Sequence, residues 1–143
     1  MGARIKALAL LLPVLLLIGC GPSEPKVEGR WYTQSQVDTG KVLFDANCVV
    51  CHGSEARGTS DWHKPLANGN YPPPPLDGSA HAWHHPLSAL MFTVQNGGAK
   101  FGGTMPGFKG QLDENQQEAV IAYFQSLWSE QIYQTWLQRG GLK

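Results

Sequence analysis

The chain reads as an all-α domain of about three to four helices joined by long irregular loops. Three observations lead there. Apolar residues recur at helical spacing around Ser35–Asn47, around Pro86–Asn96 and from Asp113 onward. No stretch alternates apolar and polar residues convincingly enough for a strand. The 17 glycines and 10 prolines among 143 residues call for much irregular backbone. The length suits one compact domain. Formal net charge is zero, with 11 basic and 11 acidic residues, which argues against a nucleic-acid binder with a basic face. Three cysteines cannot all pair internally, so at least one has another purpose.

The N-terminus is an address. Arg4 and Lys6 precede an unbroken apolar run from Ala7 to Ile18. That run is short for a bilayer-spanning helix and fits the core of an export signal. It ends in Leu17-Ile18-Gly19-Cys20, which resembles the bacterial lipobox. The resemblance implies a lipoprotein signal peptide over residues 1–19 and lipidation of Cys20, the mature first residue. Several buried acyl chains give stable anchoring where a single chain is marginal. Loss of Arg4 and Lys6 leaves nine basic against 11 acidic residues. Residues 20–33 show no sustained periodicity and read as a flexible lipid-anchored tether, reaching at most roughly 40 Å. The domain proper then covers residues 34–143.

The first helix is expected over Ser35–Asn47, directly before Cys48-Val49-Val50-Cys51-His52. This is C-x-x-C-H, the attachment signature of a c-type haem. Two cysteines three apart on one helical turn can meet the two haem vinyl groups. The adjacent histidine then places an imidazole nitrogen on the iron. A thioredoxin-like pair would lack both a preceding strand and a use for His52. A zinc site recruiting His81 and His85 would need 29 residues between Cys51 and His81, far from common finger spacing.

Two further segments bear on the iron. Met91 lies in an apolar stretch of helical type and reads as core. Met105 lies in a glycine-rich loop and is followed by Pro106, so its thioether can approach iron with no helix in the way. Tyr71-Pro72-Pro73-Pro74-Pro75-Leu76 is a stiff, polyproline-like run. His81-Ala82-Trp83-His84-His85 forms a cluster read as loop histidines, with no metal assigned to it.

The remaining helices complete the scaffold. The middle helix, Pro86–Asn96, is closed by Gly97-Gly98. The last opens at Asp113, with Gln116 three residues on as a capping-box pair. Ala119, Val120, Tyr123, Phe124 and Leu127 then share one broad face. Residues Ser129–Gln138 are expected to extend that helix, with Ile132, Tyr133, Trp136 and Leu137 as an apolar stripe. The stripe either packs back on the domain or docks a partner. Trp128 is expected near the haem.

Taken together, Gly40–Gly53, Gly103–Phe108 and Ala119–Trp128 resemble the class I monohaem c-type cytochromes over about residues 35–130. The resemblance implies a cytochrome c fold packed around one haem c held through Cys48 and Cys51. It implies His52 and Met105 as the axial iron ligands. It implies that Pro74 offers its carbonyl to the haem histidine. His/Met ligation raises the reduction potential. The implied function is a one-electron carrier and not an enzyme, tethered to the periplasmic face of a bacterial membrane. Expected partners are a quinol-oxidising complex and a terminal oxidase or reductase. The alternatives are a fixed haem subunit of a larger respiratory or dehydrogenase complex, and a haem-based sensor of small ligands.

Overall fold

The computed structural model describes residues 23–143. The leader, the lipobox and Cys20 lie outside the described residues. Among the described residues five α-helices form: α1 (Gln34–Asn47), α2 (Val49–His52), α3 (Leu87–Asn96), α4 (Glu114–Ser126) and α5 (Glu130–Gln138). Among the described residues there are no strands, only the isolated bridges Lys26–Thr33 and Tyr71–Gly103.

Local chemistry sets where helices start. Thr33 accepts from the Gln36 backbone N–H, and the Gln36 side chain accepts from the Thr33 N–H. Asp113 and Gln116 repeat that reciprocal cap at the start of α4. Each box satisfies two donors that a helix otherwise leaves unpaired. α3 starts just after Pro86 and stops at Gly97, whose φ of 80° no longer continues a helix.

α1 and α4 cross in close contact at Gly40. A Cβ there would lie 2.5 Å from the Ala119 carbonyl carbon and 2.9 Å from the Tyr123 Cβ, so only hydrogen fits. Beside the crossing, the rings of Phe44 and Tyr123 meet at 5.2 Å. α4 is buried from Ala119 through Gln125, on every side and not on one face alone. The extra coverage comes from the N-terminal segment, where the Trp31 indole N–H donates to the buried Gln125 side chain at 2.6 Å.

Two expectations change. α4 does not extend through Gln138. It ends at Ser126, and α5 starts anew with the Ser129 hydroxyl accepting from the Ile132 N–H. The break turns Trp128 into the core, where it is 3% exposed and its indole N–H donates to the Leu76 carbonyl at 2.8 Å. A continuous helix would forgo that bond. The α5 stripe packs inward: Tyr133 and Trp136 are fully buried, and Trp136 donates to the His85 carbonyl at 2.8 Å. It leaves little apolar surface for a partner.

The second change is at the N-terminus. Residues Lys26–Thr33, placed in the flexible tether by sequence, fold back on the domain. Val27 donates to the Tyr32 carbonyl and Arg30 to the Val27 carbonyl, each at 2.9 Å. Tyr32 is 2% exposed. The physical reason is aromatic burial: Trp31, Tyr32 and Tyr133 pack edge to face. Tyr32 thereby joins the core, with Val27 and Trp31 of the apparent linker packed against it.

Candidate functional site

α1 aims the chain into the C-x-x-C-H motif, and α2 presents it in one turn. Cys48 is half-buried, Cys51 exposed, and both are free thiols. Burial, with a smaller contribution from Cys51, pushes the Cys48 thiol up to about 11. A disulfide-exchange pair needs the opposite shift. Among the described residues no three His, Cys, Asp or Glu groups converge on a metal position, so His81 and His85 do not join the cysteines.

His52 is buried, and its Nδ1 sits 2.9 Å from the Pro74 carbonyl oxygen. A carbonyl only accepts, so the geometry assigns the proton to Nδ1. Nε2 is then the bare nitrogen, and it has no protein partner among the described residues. Burial lowers the pKa of His52, against a smaller opposing effect of the Pro74 bond. Burial thus favours the neutral ring, the form in which an imidazole binds a metal.

Several contacts hold the Pro74 carbonyl in place. Beyond α2 the chain turns through Glu55 and Ala56, both with positive φ. The Ala56 carbonyl accepts from the Leu76 N–H at 2.8 Å, and the Thr59 N–H donates to the Pro73 carbonyl at 3.0 Å. Gly58 lies between them with φ of 58°, and a Cβ there would lie 2.6 Å from the Pro74 oxygen. Glycine is required both by that φ and by the approach. Trp128 fixes the far end of the run through Leu76. Thus the prolines stiffen the segment, but Gly58, Ala56 and Trp128 set its register. Sequence reasoning missed Gly58, which carries no local signal of its distant neighbour.

Met105 is half-buried in the loop between α3 and α4. Its carbonyl accepts from the Gly98 N–H at 3.0 Å, and Phe108 donates to the Val94 carbonyl at 2.9 Å. Both anchors use the end of α3. The Tyr71 N–H donates to the Gly102 carbonyl at 2.9 Å, which ties the proline run to the methionine loop. Met91 packs against the core. His81 stacks on Trp62 with ring centroids 4.6 Å apart, and His84 meets Trp83 edge-on at 4.0 Å. Burial, then His85 and His84, lower the pKa of His81. Trp128 is held by the proline run and the α5 aromatics.

The residues present fit a haem. Two free thiols precede a buried imidazole whose Nε2 has no protein partner among the described residues, and a methionine loop is tied to the same proline run. That donor set defines a c-type haem protein on an all-α frame.

The cytochrome c family model matches residues 37–128, and the chain belongs to the cytochrome c family. It binds haem c covalently through Cys48 and Cys51, and the family is one of electron carriers. The chain is 30% identical over 103 residues to the cbb3-type cytochrome c oxidase subunit CcoP of Azospirillum sp. (strain B510), covering 71% of this chain and 32% of that one. It is 28% identical over 92 residues to cytochrome c6 of Chlorolobion braunii, covering 63% of this chain and 89% of that one. It is 32% identical over 89 residues to cytochrome c6 of Synechocystis sp., covering 59% of each. The chain spans about a quarter to a third of the length of the oxidase subunits it matches. No solved structure matches it. Among the described residues no helix is long and apolar enough to cross a membrane.

Proposed function

We propose that the protein is a lipid-anchored monohaem cytochrome that carries single electrons between respiratory partners at the periplasmic face of a bacterial membrane. The observation that carries the reading is the His52–Pro74 hydrogen bond beside two free thiols. It orients an imidazole and leaves Nε2 for iron. When bound, haem c supplies a one-electron iron couple. Cys48 and Cys51 hold it by thioethers. His52 and Met105 would be the protein ligands of its iron, and a thioether ligand would favour the ferrous state and raise the potential. With both in place no position would remain for a substrate or a gas. Pro74, Gly58 and Trp128 keep the His52 side rigid, which limits rearrangement between oxidation states. Cys20 carries the lipid, and a tether raises the effective concentration of the carrier near membrane redox complexes. Similarity to oxidase subunits supports a terminal oxidase as the acceptor, with a quinol-oxidising complex as the donor.

A second reading, a fixed haem subunit of an oxidase assembly, draws on the same relatives. The inward packing of the α5 stripe supports the mobile carrier, because that stripe was the sequence feature that suggested a permanent partner. Met105→Ala tests the ligation. It is expected to abolish the sulfur-to-iron charge-transfer band of the ferric protein and to let the ferrous protein bind carbon monoxide. Retention of the band would overturn the assignment. Detergent-extracted protein that elutes only with an oxidase would favour the fixed subunit.

A further inference from the structure

We propose that the folded segment Lys26–Thr33 is a clamp that shortens the membrane leash, so the carrier reaches only redox complexes docking low on the same bilayer. This deepens the lipid-anchor reading and rests on it.

The clamp has several independent grips. The Trp31 backbone N–H donates to the Tyr133 hydroxyl at 3.1 Å, and its indole N–H donates to Gln125 at 2.6 Å. The Arg30 guanidinium sits 3.9 Å from the Tyr133 ring centroid and pairs with Glu130 at 2.6 Å. Upstream, Glu24 accepts from the Ser35 backbone N–H at 3.2 Å. Lys26 pairs with Thr33, the N-cap of α1. The leash therefore leaves the domain at the N-terminal end of α1.

Only the chain from Cys20 to Glu24 then separates the lipid from the first grip, a contour of at most about 15 Å. With the nine residues to Thr33 released it would gain roughly 30 Å. Cys48 follows the opposite end of α1, whose 14 residues span about 20 Å. The haem-bearing cysteines thus stand no more than about 40 Å above the lipid surface. Charge does not pull this end of the domain flat. Glu24, Glu28, Asp38 and Glu130 outnumber Lys26 and Arg30, and Arg30 is already paired. An anionic leaflet attracts basic clusters, not an acidic excess. Leash length, not surface adhesion, sets the reach.

The test uses the full-length lipidated holoprotein in phosphatidylcholine vesicles that carry a headgroup fluorophore. Haem quenching of the fluorophore reports height. A Gly-Ser spacer of about eight residues inserted between Ser23 and Glu24 leaves the clamp intact and is expected to reduce quenching roughly twofold. Trp31→Ala is expected to reduce it in the same direction. In solution, trypsin should cut after Arg30 roughly tenfold faster in Trp31→Ala than in the native protein, the factor expected for losing about 1.4 kcal/mol of local stability. Quenching unchanged by the spacer, or a native protein cut after Arg30 as fast as the variant, overturns the clamp. Protein that stays off the vesicles overturns the lipid anchor itself, and the trypsin comparison is unaffected. If Trp31→Ala fails to hold haem, Tyr133→Phe, which removes only the hydroxyl that accepts from the Trp31 N–H, takes its place in both readouts, and cleavage or quenching unchanged from the native protein overturns the clamp.

Discussion

Gly40→Ala sets two effects of known size against each other. Glycine in a helix interior is worse than alanine by about 1 kcal/mol, so propensity alone predicts stabilisation. The structure predicts the reverse. The new methyl would fall 2.5 Å from the Ala119 carbonyl carbon and 2.9 Å from the Tyr123 Cβ. Both belong to α4 and neither can swing aside, unlike the end of a long side chain. The helices must separate by roughly 1 Å, and overpacking of this kind costs typically 1–3 kcal/mol or more. Separation also loosens Phe44 against Tyr123 at the same crossing. We expect a cost of about 3 kcal/mol from packing, and about 2 kcal/mol net after the propensity gain. For a domain of this size that lowers Tm by roughly 5–10 °C. The assay is thermal unfolding of the holoprotein followed by circular dichroism. Thr39→Ala, exposed and one residue earlier, is the control and should gain about 0.5 kcal/mol. If Gly40→Ala were as stable as Thr39→Ala, the close crossing would be wrong.

Gly58→Ala would push on the Pro74 carbonyl, which lies 2.6 Å from the added methyl, at a φ that disfavours any side chain. Expected results are about 2–3 kcal/mol lost stability and a raised reduction potential, since a weakened His52–Pro74 bond makes the imidazole less basic; voltammetry and denaturant unfolding read both. Burial pushes the Tyr32 phenol up to about 12, above its unfolded value near 10. That contribution is complete below about pH 10 and drains away as pH rises through 12. Tyr32→Phe should flatten the alkaline fall of the unfolding midpoint, though only in part, because burial raises the pKa of Tyr133 too. Intact mass spectrometry of membrane-extracted protein should show one haem plus a lipid on a chain starting at Cys20. A mature mass lacking the lipid would remove the leash.

Much of the frame was legible because it is written in local signals. The Asp113–Gln116 box and the Gly97-Gly98 stop each lie within a few residues of what they control. The C-x-x-C-H motif is equally local. Its two cysteines and histidine need no distant residue to be recognised. What failed to show is what depends on residues far apart in the chain. Trp128 breaks away from α4 to reach Leu76, 52 positions earlier. Trp31 secures an apparent linker through Gln125 and Tyr133, about a hundred positions later. Neither has a periodic signature.

The amino-acid order by itself determined the cofactor chemistry, the helical frame and the candidate iron ligands. The haem motif and the helix caps rest on residue types at short fixed spacings, and Met105 on its glycine-rich loop and the family resemblance. The tertiary structure decided which glycine makes room for the Pro74 carbonyl, what holds the proline run in register, and that the segment Lys26–Thr33 packs on the domain. Those are properties of approach between segments, and the steric and hydrogen-bond terms that select them exist only once the chain has folded back on itself.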